Sequence, residues 1–157
     1  MKIIFIVTLF AASLAIAQNK PIAMENKNSE QQQNIVAVRY IVHDVDSAIS
    51  FYTRLLDFKV NQHPAPGFAD IYRGNLHLLL NKPGAGGAGQ TMPDGTVPAP
   101  GGWNRIQIQV EDLTATVDKL KALGAQFRND LVNGIGGRQI LLKDPSGNLI
   151  ELFQPKS

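Results

Sequence analysis

The sequence predicts an α+β fold made of two tandem βαβββ modules. Hydrophobic periodicity and turn residues give the order strand, helix and three strands twice, once on each side of a central segment rich in Gly and Pro. The two halves also match in register, because segments 42–45, 55–57 and 78–83 correspond to segments 110–113, 122–124 and 150–155. In this register Leu79 is the counterpart of Glu151, and Ala37 is the counterpart of Arg105.

Residues 1–17 have the features of a secretory signal peptide. Lys2 is followed by an apolar run that ends in a small-x-small cleavage pattern at residues 15–17. The run is shorter than the roughly 20 residues of a membrane-spanning helix, so we expect cleavage after Ala17 and no membrane attachment afterwards. Residues 18–34 are polar and are predicted to form a flexible spacer. The sequence therefore predicts export to the periplasm or the extracellular space.

Composition limits the partners open to the chain. The formal net charge is +2, the basic residues are scattered, and cysteine is absent. We therefore expect no nucleic-acid partner, no disulfide and no lipid attached at a cysteine.

The first module is predicted over residues 35–83. Asp44 or Asp46 can cap its helix, which packs on the first strand. The predicted elements are a strand at 35–42, a helix that ends before residue 58, and strands at 58–61, 68–73 and 76–80. Residues 84–102 hold too few packing residues for an element, and we interpret them as a linker or a lid.

The second module is predicted over residues 103–157. The predicted elements are a strand at 104–110, a helix closed by Gly124, strands at 125–128 and 139–143, and a final strand from residue 148 after a tight turn. Alternation in the final strand puts Leu149, Glu151 and Phe153 on one face. Glu151 is anomalous, because burying a carboxylate among apolar residues is costly unless it is paired or coordinates a ligand.

The residues resemble those of the vicinal oxygen chelate superfamily, which includes glyoxalase I, extradiol dioxygenases, fosfomycin-resistance transferases and bleomycin-binding proteins. The resemblance rests on the paired modules, on Phe-Tyr and Leu-Leu-Asp-Phe within residues 51–58, and on the pattern Asp-Pro-Ser-Gly-Asn-x-Ile-Glu-Leu at residues 144–152. It implies that the two modules form curved mixed sheets around a cleft.

The resemblance also implies where a metal would bind. Metal-dependent members place ligands at positions that correspond here to Ala37, Leu79, Arg105 and Glu151. Only Glu151 can ligate a metal, and Arg105 would repel a cation. We therefore expect no cofactor; if a divalent metal does bind, Glu151 and His77 are the candidate ligands.

The same faces supply a candidate binding site. The candidate ligand-binding residues are Arg39, His77, Arg105, Gln107, Gln109 and Phe153, and Glu151 is the candidate catalytic residue. Arginine and amide groups among apolar side chains suit a small molecule with a carboxylate or another polar group on an apolar body. The alternative that Arg105 and Glu151 only neutralise each other remains open.

These observations leave two main functions and a weaker third. The first is an exported, metal-free domain that binds a small polar or anionic molecule in its cleft. The second is a glyoxalase-type lyase or a related enzyme that uses a displaced metal, or Glu151 as general base. The third is a protein-interaction module, and the resemblance leaves a homodimer open.

Overall fold

The N-terminal half of the fold is a four-stranded sheet with one helix. A computed structural model describes residues 35–156, so the predicted signal peptide and spacer lie outside the described residues. The elements of this half are β1 (Val36–Ile41), α1 (Val45–Leu56), β2 (Lys59–Ala65), β3 (Phe68–Arg73) and β4 (Leu76–Asn81). The strand order is β1-β4-β3-β2, in which β1 is parallel to β4 and the other neighbours are antiparallel.

The C-terminal half has the same arrangement. Its elements are β5 (Ile106–Gln109), α2 (Leu113–Ala122), β6 (Gln126–Phe127), β7 (Val132–Asn133), β8 (Gly137–Lys143) and β9 (Leu149–Pro155). The strand order is β5-β9-β8-β6, β5 is parallel to β9, and β7 also pairs with β8. The predicted α+β class with two curved mixed sheets is confirmed.

Several strands differ from the prediction in their bounds, most of them by one or two residues. β2 extends to Ala65, four residues beyond the predicted end at residue 61, so His63 lies in this strand. β5 begins at Ile106, two residues later than predicted. The strand expected at 125–128 is shortened to β6, and a further short strand that was not predicted, β7, follows it. Between them, Asn129 Oδ1 accepts the Leu141 N–H at 3.0 Å in place of a backbone carbonyl.

The strand registers agree with the internal repeat. Arg39 on β1 lies opposite Leu79 on β4, and Gln107 on β5 lies opposite Glu151 on β9. The equivalence of Leu79 and Glu151 therefore makes Arg39 the counterpart of Gln107, with the same offset as Ala37 and Arg105. The two sheets thus present corresponding positions on corresponding faces.

Both helices begin at an aspartate cap. Asp44 accepts a hydrogen bond from the Ser47 N–H at 2.7 Å, and Asp112 accepts one from the Ala115 N–H at 3.0 Å. A carboxylate there satisfies an N–H group that has no partner within the helix. Helix α1 ends at Asp57, whose φ of 56° is left-handed, as expected for the break at this position.

One hydrophobic core joins the two halves. Its largest fully buried side chains include Tyr52, Ile71, Leu78, Leu80, Leu113, Leu120, Ile140, Leu142, Ile150 and Leu152. Tyr40 on β1 connects the halves directly, since its hydroxyl donates to the Leu149 carbonyl at 3.1 Å and accepts from the Ile106 N–H at 3.0 Å. Burial raises the pKa of this phenol, so it stays a neutral donor.

The central Gly/Pro segment is attached to the fold at both ends. The Lys82 N–H donates to the Gly67 carbonyl at 3.0 Å, and the Gly101 N–H donates to Asn148 Oδ1 at 2.7 Å. A side chain at Gly67 would collide with Ala85, so the segment packs closely on the β2–β3 turn. Within residues 35–156, no helix has the length and apolar character needed to span a membrane.

Candidate functional site

The strand registers define a polar face on each sheet, directed away from the buried core. On the N-terminal sheet this face carries Arg39, Leu79 and Asp70, which lie side by side on β1, β4 and β3. On the C-terminal sheet it carries Gln107 and Glu151 with their neighbours on β8. The candidate site residues that lie in strands are placed on one of these two faces by side-chain alternation, and Arg105, which precedes β5, reaches the C-terminal face through its contact with Glu151.

His77 is held by a carboxylate that the sequence did not single out. Its Nδ1 lies 2.8 and 3.0 Å from the two carboxylate oxygens of Asp70, which is only 5% exposed. Asn61 donates to Asp70 at 2.7 Å, and the ring of Tyr72 stacks on His77 at a centroid distance of 5.6 Å. In the neutral tautomer that donates from Nδ1, Nε2 keeps its lone pair for another group.

Arg39 is the cation of the N-terminal polar face. It hydrogen-bonds to the side chain of Asn81, which in turn donates to the Ala85 carbonyl at 3.3 Å. No carboxylate of residues 35–156 lies within ion-pair distance of Arg39. The exposed guanidinium is therefore positioned by a neutral group and keeps its charge available for an anion.

Glu151 is paired on both of its oxygens. Arg105 Nε and Nη2 each lie 2.7 Å from Oε2, and Gln107 Nε2 donates to Oε1 at 2.7 Å. The side chain of Glu151 is 8% exposed and that of Arg105 is 31% exposed, so the ion pair is largely buried on the carboxylate side. Arg105 and Glu151 therefore neutralise each other, as in the alternative that the sequence left open.

The side chains at the four ligand positions do not suit the metal that metal-dependent members of the superfamily named above bind. Of the four corresponding positions, Ala37 and Leu79 have no donor atom, Arg105 is cationic, and Glu151 has both oxygens engaged. His77, the other candidate ligand, is paired with Asp70 on the N-terminal sheet. In the described part of the chain, His, Cys, Asp and Glu form no group of three that could hold a metal ion.

Gln109 and Phe153 lie further along the C-terminal polar face. They are partners in the β5–β9 register, and Phe153 also lies opposite Gln139 on β8. The ring of Phe153 packs over Gly137, where an added Cβ would lie 2.9 Å from the ring. Phe153 therefore covers the sheet at this end, two residues beyond the Glu151 cluster.

The turn at residues 144–148 has a structural role. Asp144 accepts from the Asn148 N–H at 2.8 Å, from the Asn148 side chain at 2.9 Å and from the Tyr52 hydroxyl at 3.2 Å. Burial raises the pKa of this carboxyl, and the hydrogen bonds from Asn148 partly offset that increase. Asn148 also donates to the Ile41 carbonyl at 2.9 Å and accepts from Gly101, so the turn links both halves and the central segment.

A cavity on the C-terminal polar face adds residues that the sequence did not indicate as functional. Its volume is about 240 Å³, and it is lined by Gly102, Trp103, Arg128, Lys143, Gly147 and Leu149. It adjoins the Glu151 cluster, because Arg105 Nη1 donates to the Trp103 carbonyl at 3.2 Å. A larger cavity of about 380 Å³ lies at the other end of β8, beside Arg138 and Lys156, away from these groups.

Comparison with known proteins agrees with this architecture. Residues 34–152 match the sequence profile of the Glyoxalase/Bleomycin resistance protein/Dioxygenase superfamily. The chain belongs to this superfamily. The resemblance stated from the residues, to the same group under its name of vicinal oxygen chelate superfamily, is thereby confirmed.

One relative in the superfamily matches most of this chain in sequence. A Mycobacterium bovis protein provisionally named glyoxylase CFP32 is 30% identical over 112 residues, which are 71% of this chain and 41% of that protein. This chain thus spans about two fifths of the length of that relative.

Three solved structures illustrate the shared fold. A glyoxalase/bleomycin resistance protein/dioxygenase from Nocardioides aligns with a TM-score of 0.62 and 21% identity, covering 82% of this chain and 91% of its own. Lactoylglutathione lyase from Agrobacterium tumefaciens gives 0.60 and 19%, covering 76% and 92%. The antibiotic-binding protein TnmS3 from Streptomyces gives 0.59 and 23%, covering 78% and 95%. The likeness at these identities concerns the fold.

Proposed function

We propose that this superfamily member is an exported binding domain whose cleft holds a small anionic molecule without the metal of the metal-dependent members. The observation that carries the proposal is the pairing of Glu151 with Arg105 and Gln107, which uses both carboxylate oxygens. A metal at this position would have to displace the arginine and overcome its repulsion, at the cost of leaving a largely buried pair unmatched.

The charge of the polar faces supports an anionic ligand. Arg105 and Glu151 cancel, whereas Arg39 has no carboxylate partner among residues 35–156. Ile41 and Leu79 lie beside Arg39 and give the surface around the guanidinium an apolar component. A guanidinium beside apolar groups is a suitable contact for a carboxylate on an apolar body.

Export is part of the proposal and rests on residues 1–17. The Ala15-Ile16-Ala17 pattern after an apolar run supports cleavage before Gln18. A superfamily fold that has lost its chelating set, in a chain with an export signal, fits sequestration or transport of a ligand outside the cytoplasm. A homodimer is compatible with this function and is tested by the mass of the protein in solution.

A melting-temperature screen of small organic anions and their neutral amides tests the binding function. We expect at least one anion to raise Tm in the presence of a chelator, because a ligand that binds the folded state stabilises it by mass action. Loss of that shift in Arg39→Gln, with the shift intact in Arg73→Gln, the same change of charge at the exposed end of β3, would place the anion on the N-terminal polar face. Shifts that appear only after a divalent metal is added would refute the metal-free proposal.

A second candidate function is an enzyme, and the pair of His77 with Asp70 favours it. A histidine whose Nδ1 faces a buried carboxylate is oriented to take a proton at Nε2, whereas Glu151 would first have to release Arg105. Assays for lactoylglutathione lyase activity, with and without added metal, test this candidate. Loss of a measured activity in His77→Asn would assign the base to His77, and loss in Glu151→Gln with unchanged melting would assign it to Glu151.

A further inference from the structure

We propose that the cavity between Trp103, Arg128 and Lys143 binds the ligand, and that the ligand is a small planar organic anion carrying a carboxylate or phosphate group. This inference rests on the proposed binding function and adds its location and the ligand's chemical class. Its anionic group lies between the two cations, and its planar body lies against the tryptophan.

The position of the cavity follows from the strand register. Lys143 on β8 lies opposite Leu149 on β9, and Leu141 lies opposite Glu151 on the same face. The Arg128 N–H donates to the Leu141 carbonyl at 2.8 Å, which places Arg128 at the adjoining position beyond β6. The cavity therefore lies on the same polar face as Glu151, one pleat towards the turn at residues 144–148.

The cavity is electropositive because its cations have no counter-charge. Neither Arg128 nor Lys143 has a carboxylate of residues 35–156 within ion-pair distance. The nearby Glu151 is already neutralised by Arg105. Two cations at one concave site concentrate positive potential and give an anion both a forked and a point-charge partner.

Trp103 is exposed but held in place. The residue is 66% exposed, and the guanidinium of Arg128 lies 5.2 Å from its ring centroid. Its carbonyl accepts from Arg105, and the preceding segment is fixed where Gly101 donates to Asn148. An aromatic ring that is positioned before binding offers a planar ligand a large contact area at low entropic cost.

The volume of the cavity limits the size of the ligand. Its volume of about 240 Å³ is below the roughly 300–1,000 Å³ that is typical of pockets for drug-sized molecules. Its lining is mainly polar, with Leu149 as the one aliphatic side chain, and the flanking Gly102 and Gly147 leave space that side chains would fill. A single ring with one anionic group is the class that matches this space and these contacts.

Tryptophan fluorescence tests the site directly, because Trp103 is the only tryptophan in the chain. The probes are benzoate, phenyl phosphate, the neutral and nearly isosteric benzamide, and inorganic phosphate, each titrated into the purified protein. We expect a saturable fluorescence change with benzoate or phenyl phosphate, and binding about tenfold weaker for benzamide, since hydrogen bonds to charged groups contribute roughly 1.5–3 kcal/mol. The two anions separate carboxylate from phosphate ligands, and inorganic phosphate shows what the planar body contributes.

Matched variants distinguish binding in the cavity from attraction by the net charge of the protein. Arg128→Gln and Lys143→Gln should each weaken binding of the preferred anion about tenfold, for the same reason. Arg73→Gln and Lys59→Gln make the same changes of charge on the N-terminal sheet and should leave the affinity unchanged within twofold. Equal weakening by all four variants would overturn the cavity as the site and indicate attraction by net charge alone.

Calorimetry on the same samples distinguishes failure of this inference from failure of the proposed function. If an anion binds by calorimetry without changing Trp103 fluorescence, and Arg128→Gln and Lys143→Gln bind it normally, the cavity is not the site while the binding function stands. If neither benzoate nor phenyl phosphate binds, the inference fails outright. The proposed function then depends on whether the wider anion screen finds a ligand.

Discussion

Replacing Glu151 by glutamine tests whether this carboxylate is a structural partner of Arg105. The substitution keeps the size of the side chain but removes the charge that Arg105 Nε and Nη2 both contact at 2.7 Å. The new amide nitrogen must also face either the arginine or the donor Nε2 of Gln107. One of the existing contacts is therefore lost, and Arg105 is left without a counter-ion.

The expected cost follows from the burial of the pair. Removing one partner from a fully buried ion pair costs about 3–5 kcal/mol. Here the Arg105 side chain is 31% exposed, so water can partly replace the lost contact, and glutamine still offers one acceptor oxygen. We expect Glu151→Gln to lower the free energy of unfolding by about 1–3 kcal/mol, a decrease in Tm of roughly 3–10 °C for a domain of this size.

A double-mutant cycle isolates the pair. Chemical denaturation of Glu151→Gln, Arg105→Gln and the double variant should give a coupling energy of about 1–2 kcal/mol, because contacting residues are not additive. Gln109→Glu, which introduces a carboxylate two residues beyond Gln107 on the same strand, tests in the Glu151→Gln background, where Arg105 is retained, whether a displaced charge restores stability. A Glu151→Gln protein with unchanged melting and a lost activity would refute the structural role and support a catalytic one.

Four further outcomes are expected. Tyr40→Phe should lower the free energy of unfolding by about 1–3 kcal/mol in chemical denaturation, because the buried Ile106 N–H loses its acceptor. Asn148→Ala should destabilise by a similar or larger amount, since it removes contacts to Ile41, Gly101 and Asp144 together, and a small change would contradict the linking role of this side chain. Burial raises the pKa of the Asp144 carboxyl from 3.8, so the folded state binds this proton more tightly than the unfolded state does. The stability of the wild type relative to Asp144→Asn should therefore decrease as pH rises from about 3.8 through the folded pKa. Chemical denaturation of both proteins across that pH range measures this decrease. The intact mass of protein exported from the full chain should correspond to a polypeptide that begins at Gln18.

Local patterns were sufficient to predict most of the fold. Alternation of apolar residues located β1 and β5, an aspartate cap located the start of α1, Gly124 located the end of α2, and the tight turn located the start of β9. The resemblance to the superfamily, which assigns Arg105 and Glu151 to positions of one ligand set, implied that these two side chains lie close together, and the structure pairs them. The strands, helices and turn depend on neighbours in sequence or on a repeated unit, which a single sequence contains.

The remaining site residues depend on contacts that the sequence does not reveal. In the sequence, Asp70 is only one polar residue in a short strand. Its contact with His77 can be predicted only if the pairing register of β3 and β4 is known. That register could have been inferred from the two-residue turn at Gly74-Asn75. Arg128 and Lys143 come together across an irregular strand interrupted at Asn129, where no periodic pattern sets the register.

The central claim is that this superfamily member binds an anion with its own cations and without a metal. Isothermal titration calorimetry of chelator-treated protein tests it most directly, with the anion that gives the largest increase in Tm as ligand and its neutral amide as control. The account predicts saturable binding of the anion, at least tenfold weaker binding of the amide, and the same affinity after a divalent metal is added. Binding that appears only when metal is restored, or equal binding of the anion and its amide, would contradict it.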